Sequence, residues 1–132
     1  MIFGIGTDIL ELRRVAATYE RFGERFVQRL LMPEELAMFP RTRQAVRFLA
    51  MRFAAKEAIV KAMGTGFANG MWIRDVGVKP NRLGRPEIIF SQRGWRLCEE
   101  LGIGGGHLTL SDEAGLVVAV AVLMRKAATE QS

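Results

Sequence analysis

The chain has 132 residues, one cysteine, one histidine and a net charge of +5, which fits one domain with room for a real core. The lone thiol excludes an internal disulfide framework and points to a reducing compartment. Together with the single histidine it also excludes a His/Cys metal cluster within one chain.

No apolar run approaches the roughly 20 residues that cross a bilayer. The start, Met1-Ile2-Phe3-Gly4-Ile5-Gly6, has no basic signal region and reaches an acidic residue at once, so a cytoplasmic protein without a membrane partner is expected. One domain is expected over residues 1–126, followed by a frayed tail over 127–132. Phe3 to Asp8 reads as a short strand that enters a helix. Leu12, Val15, Tyr19 and Phe22, then Phe26 and Leu30, recur at helical spacing, with Gly23 as a break. Pro33 followed by Glu34 and Glu35 marks another helix start. The longest helix is expected from Thr42 to Met63, with Val46, Leu49, Phe53 and Val60 near one face. Gly64-Thr65-Gly66 ends it, because glycine accepts the left-handed cap conformation.

The second half changes character. Val76 to Lys79 and Glu87 to Phe90 read as strands joined by a Pro- and Gly-bearing turn. Trp95, Leu97, Cys98 and Leu101 predict a helix closed by Gly102. His107 to Ser111 and Leu116 to Leu123 predict a final antiparallel pair around Asp112-Glu113-Ala114-Gly115. Helices before strands argue an α+β domain.

Charge is unevenly spread. Residues 13–52 hold nine arginines, no lysine and four glutamates. Guanidinium forks pair bidentately with carboxylates and phosphates, so an acidic or phosphorylated partner fits this stretch. A solvated helix face would look the same. A nucleic-acid-binding module would need a recognition motif and aromatics to stack bases; no such motif is present, few aromatics lie among the arginines, and that reading leaves Asp8 and Glu57 unexplained. A purely structural oligomer is a third class, which the glycine-rich motifs do not demand.

No nucleophile of the chain's own stands out. A serine or cysteine triad would have to use His107, and nothing beside it resembles a nucleophile elbow. No Walker A lysine follows a glycine loop, and Gly4-Ile5-Gly6 lacks the third glycine of a dinucleotide fingerprint. The informative stretch runs from Arg52 to Gly66. Glu57 and Lys61 lie one helical turn apart on one face, and Arg52 joins that side if the helix start bends. A carboxylate beside cations fits a metal–phosphate site, and it fits equally an ordinary surface pair. Alanines 54, 55, 58 and 62 allow another backbone to pack closely, or simply favour helix. Asp8 at a strand end is either a helix N-cap or, with Glu57, the second carboxylate of a magnesium site.

Three stretches together resemble a known family. Gly4-Ile5-Gly6-Thr7-Asp8-Ile9 with Arg14-Val15, then Phe53-Ala54-Ala55-Lys56-Glu57-Ala58 through Lys61-Ala62 to Gly64-Thr65-Gly66, then His107-Leu108-Thr109-Leu110-Ser111 resemble the signatures of the short, prokaryotic-type 4′-phosphopantetheinyl transferases, in their order and spacing. The resemblance implies the fold of that family, with N-terminal helices and a long central helix packed on an antiparallel sheet. It implies transfer of 4′-phosphopantetheine from coenzyme A to a serine of acyl carrier protein, with Mg²⁺, in support of fatty acid biosynthesis. Asp8 and Glu57 would bind the metal, and Lys61 would stabilise phosphate charge. Arg52 and His107 would hold the nucleotide end of coenzyme A, including its 3′-phosphate, and the Gly64-Thr65-Gly66 turn would offer backbone N–H groups to phosphate. A water oriented by Glu57, or Glu57 itself, would be the base. Many relatives carry a second histidine where this chain has Asp112.

The missing nucleophile then has a reason, since the attacking serine belongs to the carrier. Acyl carrier proteins are small and acidic, so Arg14, Arg21, Arg25 and Arg29 on the N-terminal helical segment are expected to dock them, Arg14 and Arg25 above all. The resemblance also implies a homotrimer with active sites between subunits. The run Leu116 to Leu123 is apolar on both strand faces, which fits a sheet covered on both sides, by this chain's own helices or by another copy.

Overall fold

The chain opens in a ten-residue strand, β1 (Ile2–Glu11), and closes in another, β5 (Leu116–Arg125). Between them the computed structural model, which describes residues 1–127, gives α1 (Leu12–Phe22), α2 (Glu24–Leu30), α3 (Pro33–Leu36) and α4 (Ala45–Met63). A short 3₁₀ turn (Ile73–Asp75) leads into the hairpin β2 (Val76–Pro80) and β3 (Pro86–Phe90), then α5 (Gln92–Leu101) and β4 (Ile103–Glu113). The main sheet is antiparallel in the order β1-β5-β4, and β2-β3 forms a second, two-stranded sheet. The α+β expectation holds. The tail expected over 127–132 lies outside the described residues except for Ala127. Among the described residues no helix is long and apolar enough to cross a membrane.

The core lies between the sheet and α4. Leu49, Ala54, Ala55, Ala58, Ile59 and Val60 are all fully buried, facing Val117, Ala119, Ala121 and Leu123 of β5. The helix is buried around most of its circumference, more than the single apolar face read from its sequence. Two glycines make that possible. A Cβ on Gly4 would strike the Ala62 carbonyl, and one on Gly6 would strike the Ala58 carbonyl and come within 2.6 Å of the Ala62 nitrogen. Gly4 and Gly6 thus let the α4 backbone lie directly on β1, and the small residues Ala58 and Ala62 complete the contact from the other side. This is the purpose of the Gly-x-Gly start.

Several boundaries shift, among them that of β4, which runs from Ile103 to Glu113 instead of His107 to Ser111. β1 continues to Glu11, so Asp8 sits inside the strand, paired with Ala119, and caps no helix. The residue preceding α1 is Glu11, whose side chain makes no capping bond. α4 begins at Ala45, because Thr42 forms a turn in which its carbonyl and hydroxyl accept the N–H groups of Ala45 and Gln44. Gly23 does separate two helices, at φ 55°.

Candidate active site

Asp8 points from β1 toward α4, where Lys61 Nζ donates to its Oδ1 at 3.2 Å and to the Thr7 carbonyl at 3.1 Å. The Asp8 side chain is 15% exposed and that of Lys61 51%, so the pair stands at the rim of the helix–sheet layer. Glu57 lies one turn before Lys61 on the same face and is half-buried. Burial pushes its carboxyl above the usual carboxylate range, the charge of Asp8 pushes it further, and Lys61 pulls it back. The fold therefore gathers Asp8, Glu57 and Lys61, as the sequence reading expected, with two acids against one base. No group of three or more His, Cys, Asp or Glu side chains among the described residues could hold a metal ion. Two neighbouring carboxylates, the charge of Asp8 being one cause of the raised Glu57 carboxyl, nevertheless fit Mg²⁺, which takes one or two carboxylates and completes its shell with water and substrate phosphate.

Other expected members lie elsewhere. Arg52 does not join the Glu57–Lys61 side, since five residues of helix turn it well away. Its guanidinium lies over the Phe48 ring at 3.9 Å, and Nη2 reaches the Val78 carbonyl at 3.5 Å. The Gly64-Thr65-Gly66 turn ends α4 through a left-handed Gly64 at φ 80°. Its N–H groups are already in use: Gly64 donates to Lys61, and Thr65 and Gly66 both donate to Val60, at 3.1–3.3 Å. They satisfy the last helical carbonyls. His107 is exposed on β4 and pairs with Val122, which pairs with Ile5, whereas Asp8 shares its face with Ala119 and Leu110. His107 and Asp8 therefore project from opposite faces of one sheet. Arg52 and His107 line two adjoining clefts rather than one. The 300 Å³ cleft lined by Arg52 and the larger open one lined by His107 share Gly84, Pro86 and Thr109.

Two buried charges went unread in the sequence. Glu35 and Lys56 are both fully buried and paired at 2.7 Å. Burial pulls the Lys56 ammonium below its usual range, and Glu35 opposes that shift. The signal was present: Lys56 lies on the same helical stripe as Leu49, Phe53 and Val60, where a charge demands a partner. Asp112, noted as a departure from many relatives, forms a bidentate fork with Arg47 at 2.8 and 3.0 Å. Cys98 is no nucleophile, because burial pushes its thiol up to about 11.

Residues 4–121 match the 4′-phosphopantetheinyl transferase superfamily. The chain belongs to that family. It is 44% identical over 122 residues to the holo-[acyl-carrier-protein] synthase of Neisseria meningitidis serogroup A, covering 92% of this chain and 98% of that one. The crystal structure of holo-[acyl-carrier-protein] synthase from Neisseria meningitidis superposes with a TM-score of 0.89 at 42% identity, over 95% of this chain and 100% of that one. The Helicobacter pylori synthase in complex with coenzyme A matches at a TM-score of 0.79 and 27% identity, over 91% and 99% of the two chains.

This member of the phosphopantetheinyl transferases also displays a separate basic surface. Arg14 and Arg21 on α1, with Arg25 and Arg29 on α2, are all exposed, and none forms an ion pair among the described residues. Thr18, Phe22, Arg25, Phe26 and Arg29 line a depression of about 230 Å³. Free cations around half-exposed phenylalanines suit an amphipathic, acidic helix.

Proposed function

We propose that this chain transfers the 4′-phosphopantetheine group of coenzyme A to a serine hydroxyl of apo-acyl carrier protein, releasing adenosine 3′,5′-bisphosphate. The carrying observation is the Asp8–Glu57–Lys61 group at the helix–sheet rim, in a family whose relatives are named for this reaction. The serine oxygen forms a bond to the pantetheine-bearing phosphorus, and the bond from that phosphorus to the bridging oxygen breaks. The serine proton passes to Glu57, directly or through a water, since its raised carboxyl suits a proton acceptor. Lys61 offsets charge on the phosphate oxygens, and Asp8 holds Lys61 in place. Asp8 and Glu57 would bind Mg²⁺, which when bound polarises the pyrophosphate and neutralises charge on the departing nucleotide. Arg52 and His107 meet the 3′-phosphate and nucleotide, and the Gly64–Gly66 cap fixes the end of the helix that carries Lys61. Arg14, Arg21, Arg25 and Arg29 dock the carrier. A reducing, cytoplasmic setting belongs to the same reading. Incubation with apo-carrier, coenzyme A and Mg²⁺, followed by intact-mass measurement, should add one phosphopantetheine to the carrier; an unmodified carrier overturns the proposal.

The same reading includes a homotrimer. On the sheet face away from α4, Ile5 and Ile9 are 60% and 64% exposed, and Val118 is 38% exposed between the two flanking strands. An apolar face of this kind on a small domain fits a second copy of the chain. A three-fold ring closes around its axis and lets the sheet face carrying His107 in one subunit meet the Asp8–Glu57 rim of the next. Mixed oligomers of Asp8→Asn and His107→Ala subunits should regain activity, and an active monomer by light scattering would exclude the shared site.

A further inference from the structure

Arg52 is held in an unusual way. Its side chain is 14% exposed, and its Nε is buried with no hydrogen-bond partner. Nε lies 3.7 Å from Glu35 Oε2, beyond a hydrogen bond. Glu35 is otherwise engaged. It accepts the backbone N–H groups of Met32 and Val78 at 3.0 Å each and Lys56 Nζ at 2.7 Å. Lys56 in turn spends its three protons on Glu35, the Ile73 carbonyl and the Val76 carbonyl. A carboxylate within reach of both a lysine and an arginine ordinarily takes the arginine's planar fork, which matches it bidentately. Here the lysine is bonded and the arginine is left over.

Two cations and one carboxylate share this water-poor corner, so the group lacks one negative charge. Arg52 lines the 300 Å³ cleft between α4, the β2–β3 hairpin and β4, which Arg47 also lines. An apolar pair could fill the volume of Glu35 and Lys56 at lower desolvation cost, so the buried charges call for a reason beyond packing.

We infer that Glu35 and Lys56 act as positioning residues for Arg52: Lys56 occupies the carboxylate, so Arg52 stays beside it without a hydrogen bond to it, held only by a long contact from Nη2 to the Val78 carbonyl, and can turn its guanidinium to a phosphate in the cleft. Neither residue touches substrate. The inference rests on the reading that Arg52 meets the 3′-phosphate of coenzyme A. It deepens that reading by naming what stops Arg52 from collapsing onto Glu35. Lys56 works as a competitor, and its removal should cost phosphate recognition while leaving an ion pair in the interior.

The test uses coenzyme A and 3′-dephospho-coenzyme A as alternative donors, with KM and kcat measured for the wild type and four variants. Arg52→Ala should abolish the preference for coenzyme A. Lys56→Met should let Glu35 capture Arg52 and raise KM for coenzyme A by about tenfold, with KM for the dephospho donor little changed. Adding Glu35→Gln to Lys56→Met removes the captor and should restore much of the preference, which a merely structural role would not do. Lys56→Gln gives the same readout should Lys56→Met fail to fold. If Arg52→Ala keeps the preference, the reading of Arg52 is wrong. If Arg52→Ala loses it while the Lys56 variants keep it, or if both donors weaken alike without rescue by Glu35→Gln, the positioning inference is overturned.

Discussion

Helix α4 carries two charge groups back to back, and they differ in sign and in access to water. On one side Glu57 and Lys61 meet Asp8 at the rim, with one acid in excess and half of the lysine exposed. On the other, Lys56 and Arg52 meet Glu35, with one base in excess and nearly everything buried. The residues at the hinge of this arrangement, Lys56 and Glu57, are neighbours in sequence. An open group with excess negative charge invites a cation that can bring water with it. A closed group with excess positive charge invites an anion, and holds its geometry by hydrogen bonds to β2. One helix thus keeps two oppositely charged groups apart without letting its own charges neutralise one another, and on the proposed reading each would meet a different piece of coenzyme A.

The comparison breaks most completely at the open group. Asp8→Asn and Glu57→Gln each remove a charge with little change of shape. Turnover should fall by about 10²-fold or more, with unchanged thermal melting, while the preference for coenzyme A over its dephospho form survives in the residual activity. A folded variant with near wild-type turnover at limiting Mg²⁺ would remove that residue from the site. A backbone change reaches the same group from below. Gly6→Val places a side chain against the Ala58 carbonyl and the Ala62 nitrogen, and should force β1 away from α4 at a cost of about 1–3 kcal/mol or more in denaturant unfolding. An unchanged midpoint would mean that the close helix–strand approach is not needed.

How far the sequence revealed these two groups follows from what each is made of. The open group consists of motif residues whose side chains reach the surface, and Glu57 with Lys61 is a spacing any helix displays. Asp8 was legible as a carboxylate but not in its setting, because the strand ran three residues past the expected end. The strand's extension depends on pairing with β5, more than a hundred residues away. The closed group needed Glu35 and Lys56 to be recognised as partners across 21 residues, which periodicity cannot give, although the position of Lys56 on an apolar stripe was a usable warning. Gly64, Thr65 and Gly66 were read correctly as a helix stop, and that same role is what uses up their N–H groups.

A third charged region, the α1–α2 surface, belongs to neither group and serves as a control. Arg14→Glu or Arg25→Glu should raise KM for the carrier about tenfold, mainly through encounter, and leave KM for coenzyme A unchanged. The wild type should show the same weakening as salt is raised. Unchanged carrier kinetics in both variants would put docking elsewhere. A smaller effect reads the open group directly. In metal-free protein the Glu57 carboxyl should titrate above the ordinary range by carbon NMR. Asp8→Asn should move its midpoint down, since the Asp8 charge is one of the causes that raise it, and Lys61→Met should move it up. The reverse order would show that the two carboxylates do not sense each other.

The smallest expected effect lies at the mouth of the closed group, where Arg47 and Asp112 form their fork. Both side chains remain partly open to water, at 51% and 29% exposure, and exposed pairs add little to stability. The hydrogen bonds from Arg47 hold the Asp112 carboxyl below its usual range, with desolvation acting the other way. A carboxyl lowered in this way stabilises the fold at pH values above its unfolded pKa, and that contribution fades as pH falls through the folded value. Asp112→Asn should therefore leave the melting temperature near wild type at neutral pH, and the small difference should vanish in acid and in high salt. It should also leave Arg47 free to turn toward the cleft, where it stands beside Arg52. Because a second unbound guanidinium there adds attraction for an anion, KM for coenzyme A should fall slightly while KM for the dephospho donor holds. An equal change for both donors would show that Arg47 contributes to the shape of the cleft and not to its charge.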